Sequence, residues 1–299
     1  MKRIIGLLSV AFLITFLLVG CDNGKLNFFS WEDEVTLKKE VPEQIMADSL
    51  SFTFLSEKNY PEVYARLRSI CDKLARTTKN SSKTPSVSWS IYVLHDDNTV
   101  NAFSTPGGGI YFYTGLLRFV KNEAELAGIM AHEMAHVLCR HVTSALSKQL
   151  GISLFFGLLS GISDAEMTGV FGDAAANALA LKFSRDDERE ADRCAVAYLA
   201  KTDYDIGEFI TFFRDLDQQE HEEMQGENPA MHDVLEFYST HPNPKHRIEE
   251  IKEEWKRLGK SHGNTYTDEY QAWLEKLPEP VSIAEQYETE VISLPLQDI

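Results

Sequence analysis

Basic residues are scarce in this 299-residue chain: 29 lysines and arginines stand against 46 aspartates and glutamates, for a net charge of −17. A chain this acidic carries no broad basic footprint, which argues against nucleic acid as a partner. Cysteine is scarce as well, with four in all, too few for a disulfide-built scaffold. Long apolar runs are nearly absent beyond residue 20. The strongest, Leu150–Ile162, is short and broken by glycines, so it reads as a buried or membrane-grazing helix rather than a span. With 25% charged and 43% hydrophobic residues the remainder is globular in composition, enough for one large domain or two small ones.

The chain opens with Lys2 and Arg3, the uncharged run Ile4–Val19, and then Leu18-Val19-Gly20-Cys21. This reads as an export signal, and the small residue before Cys21 resembles a bacterial lipobox. That resemblance implies cleavage before Cys21 and lipidation of its thiol; an uncleaved N-terminal anchor is the alternative. Both put the chain in the bacterial envelope, facing the periplasm and tied to a membrane, with inner or outer membrane left open. Cys71, Cys139 and Cys194 remain, so an oxidising compartment allows one bridge and leaves one thiol, and spacing does not name the pair. The expected division is a signal peptide over 1–20, a catalytic domain over 21–260, and a C-terminal helix with an acidic tail over 261–299.

The chemistry is concentrated in Leu126–His141, LAGIMAHEMAHVLCRH. Inside an apolar helical pattern it sets His132, Glu133 and His136 as His-Glu-x-x-His, the signature of a zinc peptidase. On a helix the two histidines stand roughly 40° apart, so both imidazoles reach one metal ion, with Glu133 between them. Zinc held by three protein ligands keeps a fourth position for water and lowers that water's pKa to about 7, where a neighbouring carboxylate can take its proton. Two histidines are not enough, and Glu188 is the candidate third ligand, near the start of a helix expected behind Ser184. Asp192, one turn on, is placed to accept the free N–H of a ligating histidine. A solvated acidic helix start is the bland alternative.

Elsewhere, Ser30 with Asp33 predicts a helix start, and the apolar spacing from Val41 to Thr77 predicts helices broken near Pro61. Val87–Leu94, the turn His95-Asp96-Asp97-Asn98 and Val100–Phe103 predict a hairpin. Gly107, Gly108 and Gly109 then precede Ile110-Tyr111-Phe112-Tyr113. Either this is a substrate platform, with the strand at a sheet edge pairing with an extended peptide, or it is an ordinary loop before an interior strand. Asn122 with Glu125 predicts the cap of the metal helix. Ala165–Phe183 continues as a small-residue helical stretch, Gln218–Asn228 reads as a mobile lid, and Ile248–Leu258 and Asp268–Leu277 as helices. Helical projection turns His141 about 140° away from His136, a core or surface histidine rather than a ligand. Cys139 falls on the metal-facing side but is read as a small buried thiol.

Three segments together, His132-Glu133-Met134-Ala135-His136, Ser184-Arg185-x-x-Glu188-x-x-Ala191-Asp192 and Thr240-His241-Pro242, resemble the HtpX and CAAX-prenyl-endopeptidase (Ste24-type) family of zinc metallopeptidases, closest to its bacterial envelope members. Asn101-Ala102-Phe103 and Pro106-Gly107-Gly108 match further elements of that pattern, so the resemblance runs from about Ser30 to Trp255 in order. It implies an α+β fold, a mainly helical zincin with a small mixed β-sheet, one Zn2+ per chain, Glu188 as third ligand and Asp192 behind it. It also implies that His241 lies over the metal, either stabilising the oxyanion or closing the site as a fourth ligand. Arg247 is a candidate to hold the lid or a carboxylate ligand, and Asn101 with Gly107, Gly108 and Gly109 to bind substrate.

The metzincin layout fails on spacing, since Cys139 and Val142 stand where it needs Gly and His. A non-haem iron site would have no use for Glu133 beside His132. The expected activity is therefore that of a membrane-anchored envelope zinc metalloendopeptidase, with Glu133 as general base and misfolded or misassembled envelope proteins as substrates. The rival from another class is an envelope assembly factor or chaperone whose metal site is closed.

Overall fold

The computed structural model describes residues 21–22, 25–47, 52–78, 86–160, 181–225, 235–241 and 244–280. The export signal, most of the Thr78–Pro85 loop, the 165–180 part of the small-residue stretch and the tail from 281 lie outside them.

Two short strands, β1 (Cys21–Asp22) and β2 (Lys25–Leu26), pair antiparallel ahead of the first helix. Ser30 Oγ then accepts from the Asp33 amide at 3.1 Å while Asp33 accepts from the Ser30 amide at 2.7 Å, the reciprocal cap that starts α1, Trp31–Ala47. Pro61 opens α2, Pro61–Ala75, where its missing N–H is of no consequence, and the 3–4 spacing of Val63, Leu67, Ile70 and Leu74 buries one face.

The main sheet has three strands, β3 (Ser90–Leu94), β4 (Ala102–Thr105) and β5 (Gly109–Tyr113), in the order β3-β5-β4. β5 runs parallel to β3, with Ile91 opposite Ile110, and antiparallel to β4, with Phe103 opposite Tyr111. The expected hairpin between β3 and β4 is therefore corrected. Their turn does form, Asn98 donating to Asp96 Oδ1 at 2.9 Å, but it carries the chain past a gap that β5 fills.

The tight turn comes at Pro106-Gly107-Gly108, where Gly107 and Gly108 take φ of +77° and +101°. A Cβ on Gly107 would stand 2.3 Å from the Glu34 carbonyl oxygen, and one on Gly108 2.5 Å from Val87 Cγ1. These glycines fold and pack the β4–β5 hairpin. Because β5 is the middle strand, its backbone is paired on both sides, which overturns the idea of it as a free edge for peptide. The edge strand beside the metal helix is β4.

Helix α1 covers one face of the sheet, packing Val41 and Ile45 against Leu94, Phe103 and Tyr111, whose aromatic rings line up with Tyr92 at 4.5–4.6 Å centroid spacings. Ile91, Val93, Ile110 and Phe112 enter the main core on the other face. The helices that follow are α3 (Thr114–Phe119), α4 (Glu123–Leu138), α5 (His141–Ser160), α6 (Arg185–Leu199), α7 (Gly207–Gln225), α8 (Leu235–Thr240), α9 (Pro244–Leu258) and α10 (Thr267–Leu274). Helix α4 lies at the centre of the helical layer, against α6 and α7. Gly128 lets α7 close in: a Cβ there would meet the Phe209 ring at 2.6 Å. The expected lid is corrected up to Gln225, since those residues continue α7, and 226–228 lie outside the described residues. No described helix is long and apolar enough to cross a membrane.

Candidate metal centre

Asn122 caps α4 by accepting from the Glu125 amide at 3.0 Å, and Glu125 accepts from the Lys121 amide at 2.9 Å. The helix so started brings His132 Nε2 and His136 Nε2 to 2.9 Å from each other. Ser184 and Asp187 form a capping box for α6, and one residue later Glu188 enters the same space. Its Oε1 is 3.4 Å from His136 Nε2 and its Oε2 is 3.5 Å from His132 Nε2. His241 follows α8, its amide donating to the Phe237 carbonyl at 2.8 Å. Its Nδ1 lies 3.4 Å from His132 Nε2 and 3.3 Å from Glu188 Oε1, and its Nε2 lies 3.4 Å from Glu133 Oε1. All five side chains are buried.

This donor set fits zinc. Four ligand atoms at about 2.0–2.1 Å around a tetrahedral ion stand roughly 3.3 Å from one another, and the contacts among His132, His136, Glu188 and His241 run from 2.9 to 3.5 Å. Two buried imidazole Nε2 atoms facing each other also present a lone pair to a cation.

Behind the ligands stand two supporting walls. On the inner side Asp192 Oδ1 is 2.9 Å from His132 Nδ1 and accepts from Arg247 Nη2 at 2.7 Å, while Arg247 Nε donates to Asp192 Oδ2 at 2.8 Å. Arg247 Nη1 also lies 2.9 Å from Glu188 Oε2, an ion pair that braces this carboxylate, and its guanidinium lies over the Phe213 ring at 4.4 Å. On the outer side is a residue the helical projection placed wrongly. Helix α4 ends at Leu138 and Arg140 takes φ +58°, turning the chain so that His141 starts α5 and returns its Nδ1 to 3.1 Å from His136 Nδ1. No local sequence signal marks that turn, since Leu126–His141 reads as one helical run. His141 Nε2 is 3.2 Å from Glu190 Oε2, and Lys25 Nζ donates to both Glu190 and Asp187 at 2.7 Å.

Asn101, expected to bind substrate, stands apart from the cluster. Asn101 uses its Oδ1 on the Ala102 amide at 2.9 Å, a turn role at the mouth of β4. Cys139 faces Cys194 rather than the metal ligands.

Burial pushes the Glu133 carboxyl up, opposed by the charges of His241 and His132 and by the Ser104 hydroxyl on β4. The same burial acts on Glu188, yet there the charges of Arg247 and His241 win and hold it well below the usual carboxylate range. Burial and Arg247 press His132 down, but its bonds to Asp192 and Glu188 carry it up to about 9. Burial and the charge of His132 then drive His136 well below the ordinary imidazole value.

The family model described as Peptidase family M48 matches residues 61–255, a span that includes all of these groups. The chain belongs to peptidase family M48. As an M48 member it is similar to the mitochondrial metalloendopeptidase OMA1 of Schizosaccharomyces pombe, 33% identical over 168 residues, which are 56% of this chain and 46% of that protein. It is also similar to the beta-barrel assembly-enhancing proteases of Yersinia pestis and Escherichia coli. The first is 28% identical over 200 residues, covering 64% of this chain and 38% of the relative. The second is 30% identical over 183 residues, covering 58% and 35%. The chain thus spans less than half the length of these curated relatives. The M48 assignment agrees with a zincin-type fold, mostly helical with a small mixed sheet.

Proposed function

We propose that this chain is a lipid-anchored zinc metalloendopeptidase of the bacterial envelope, acting on misfolded or misassembled envelope polypeptides. The observation that carries the activity is Glu133: fully buried beside the ligand cluster, it has neither oxygen in a well-formed hydrogen bond. A structural carboxylate at that depth would be paired. His132, His136 and Glu188 hold the ion, and zinc, when bound, supplies Lewis acidity that makes water a better acid and polarises a carbonyl. Glu133, raised by burial, takes the proton from water and delivers it to the leaving amine. The β4 edge, with Ser104 beside Glu133, offers backbone groups to an extended peptide. The envelope setting draws support from the Lys2-Arg3 leader and Cys21, and from relatives named for β-barrel assembly.

Glu133→Gln tests this directly. The variant keeps shape and zinc stoichiometry while peptide cleavage falls by about 10²–10⁴; retained cleavage removes Glu133 as the base. Cys21→Ala is expected to abolish incorporation of labelled fatty acid.

A second reading has one observation in its favour. His241 converges on the same atoms as the three ligands, which describes a closed site of low turnover, suited to an assembly factor. If His241 closes the site, His241→Ala raises peptide turnover; if it donates to the oxyanion, the variant loses about a hundredfold.

A further inference from the structure

Three cysteines have described side chains, all as free thiols. Cys71 is a free thiol buried in the main core that also holds Leu67, Leu74 and Ile91. Cys139 and Cys194 are half-buried, and their Sγ atoms lie 3.7 Å apart. Their positions in the fold are specific. Cys139 caps α4 three residues after His136, and Cys194 lies on α6 six residues after Glu188.

We propose that Cys139 and Cys194 are a disulfide site that staples the helix carrying His132 and His136 to the helix carrying Glu188. Side-chain rotation has to close 3.7 Å to the roughly 2.05 Å of an S–S bond, with no requirement on α4 and α6, which already pack together. The oxidant is a disulfide of the glutathione class. The Cys194 thiolate attacks one of its sulfurs, forming a mixed disulfide and releasing one thiol. Cys139, deprotonated, then displaces the second thiol. Two protons and two electrons leave the protein, and the oxidant is reduced to two thiols. The step balances equally with Cys139 attacking first, since either thiol of the 3.7 Å pair can donate to the other. Both helices bear ligands, so the staple opposes the separation through which an ion would leave.

The envelope reading enters only in supplying an oxidising compartment; the pairing is testable without it. The purified full-length, zinc-loaded chain is treated with oxidised glutathione, alkylated under denaturing conditions and digested. The expected result is a mass loss of two hydrogens, a linked peptide pair containing Cys139 and Cys194, and alkylation of Cys71 but of neither Cys139 nor Cys194. The oxidised form is expected to melt about 5 °C or more above the reduced form, and to lose zinc to a chelator several-fold more slowly. Cys194→Ser removes the linked pair and both differences; should that variant fail to fold, the peptide map of the unmutated chain decides. Equal alkylation of all three cysteines after oxidation overturns the proposal. So does a bridge that includes Cys71, or a second equivalent of zinc held by the thiol pair. None of these outcomes bears on whether Glu133 supports cleavage, so the two proposals fail separately.

Discussion

The two histidines of the metal helix are held from behind in unlike ways. His132 leans on Asp192 and Arg247, both fully buried and tied to each other by two hydrogen bonds. His136 leans on His141, which leans on Glu190 and, through it, on Lys25, and Glu190 is 40% exposed. The inner wall is a closed charge network: one guanidinium serves two carboxylates and no water reaches it. The outer wall is a relay that ends at solvent. Fixed geometry therefore belongs to His132 and Glu188, and adjustability to His136 and the end of its helix.

The largest effect separating the walls is expected from Arg247→Met. It leaves Asp192 and Glu188 buried without their counter-charge, a loss of about 3–5 kcal/mol, readable as a shift of the urea midpoint. Asp192→Asn keeps the shape and removes the charge, and is expected to weaken zinc about 10- to 100-fold in a chelator competition. A midpoint for Arg247→Met within about 0.5 kcal/mol of the unmutated protein would mean that the network is not closed.

The outer wall predicts a smaller change. His141→Phe keeps the ring volume and deletes the hydrogen-bond partner of His136 Nδ1, so zinc weakens by about tenfold while the urea midpoint moves little. Equal losses from His141→Phe and Asp192→Asn would abolish the contrast between the walls.

The same contrast decides what was legible in the sequence. His132, Glu133, His136, Glu188 and Asp192 sit on two capped helices, where spacing alone places side chains, and Ser184 and Asn122 marked both helix starts. The α1 and α2 boundaries were readable for the same reason, through Ser30 and Pro61. Misplaced features all involve a break in periodicity or a long-range partner. His141 lies past the left-handed Arg140, which resets the helical phase. The β3-β5-β4 order depends on which strands meet, and a strong turn at residues 95–98 does not say whether its strands pair. Nothing local shows that Gly107 is there to clear Glu34, or that Lys25 reaches Glu190. The Cys139–Cys194 proximity likewise exists only once α4 and α6 are packed.

The smallest effect, and the one most specific to the outer wall, is in the acid range. Burial would raise Asp187, but hydrogen bonds from Lys25 and Ser184 hold it to about 2. For Glu190 the bond to His141 leads, burial opposes it, and Lys25 adds to it, again to about 2. In the unfolded chain these groups titrate near 3.9 and 4.3. Their folded values are depressed, so the stability they contribute is present above about pH 5 and is lost as pH falls through 4 toward 2. Lys25→Met returns both toward ordinary values. At pH 7 the variant is expected to lose about 1 kcal/mol, mainly through Asp187, because solvent screens Glu190. At pH 3 the difference from the unmutated protein should shrink by about half, since the unfolded carboxyls are then protonated while the folded ones, held to about 2, are still mostly ionised. Urea denaturation of the metal-free protein from pH 7 to pH 3 measures it. A gap between the two proteins that stays constant with pH would mean that Lys25 stabilises by packing, and that the outer wall is not an electrostatic relay.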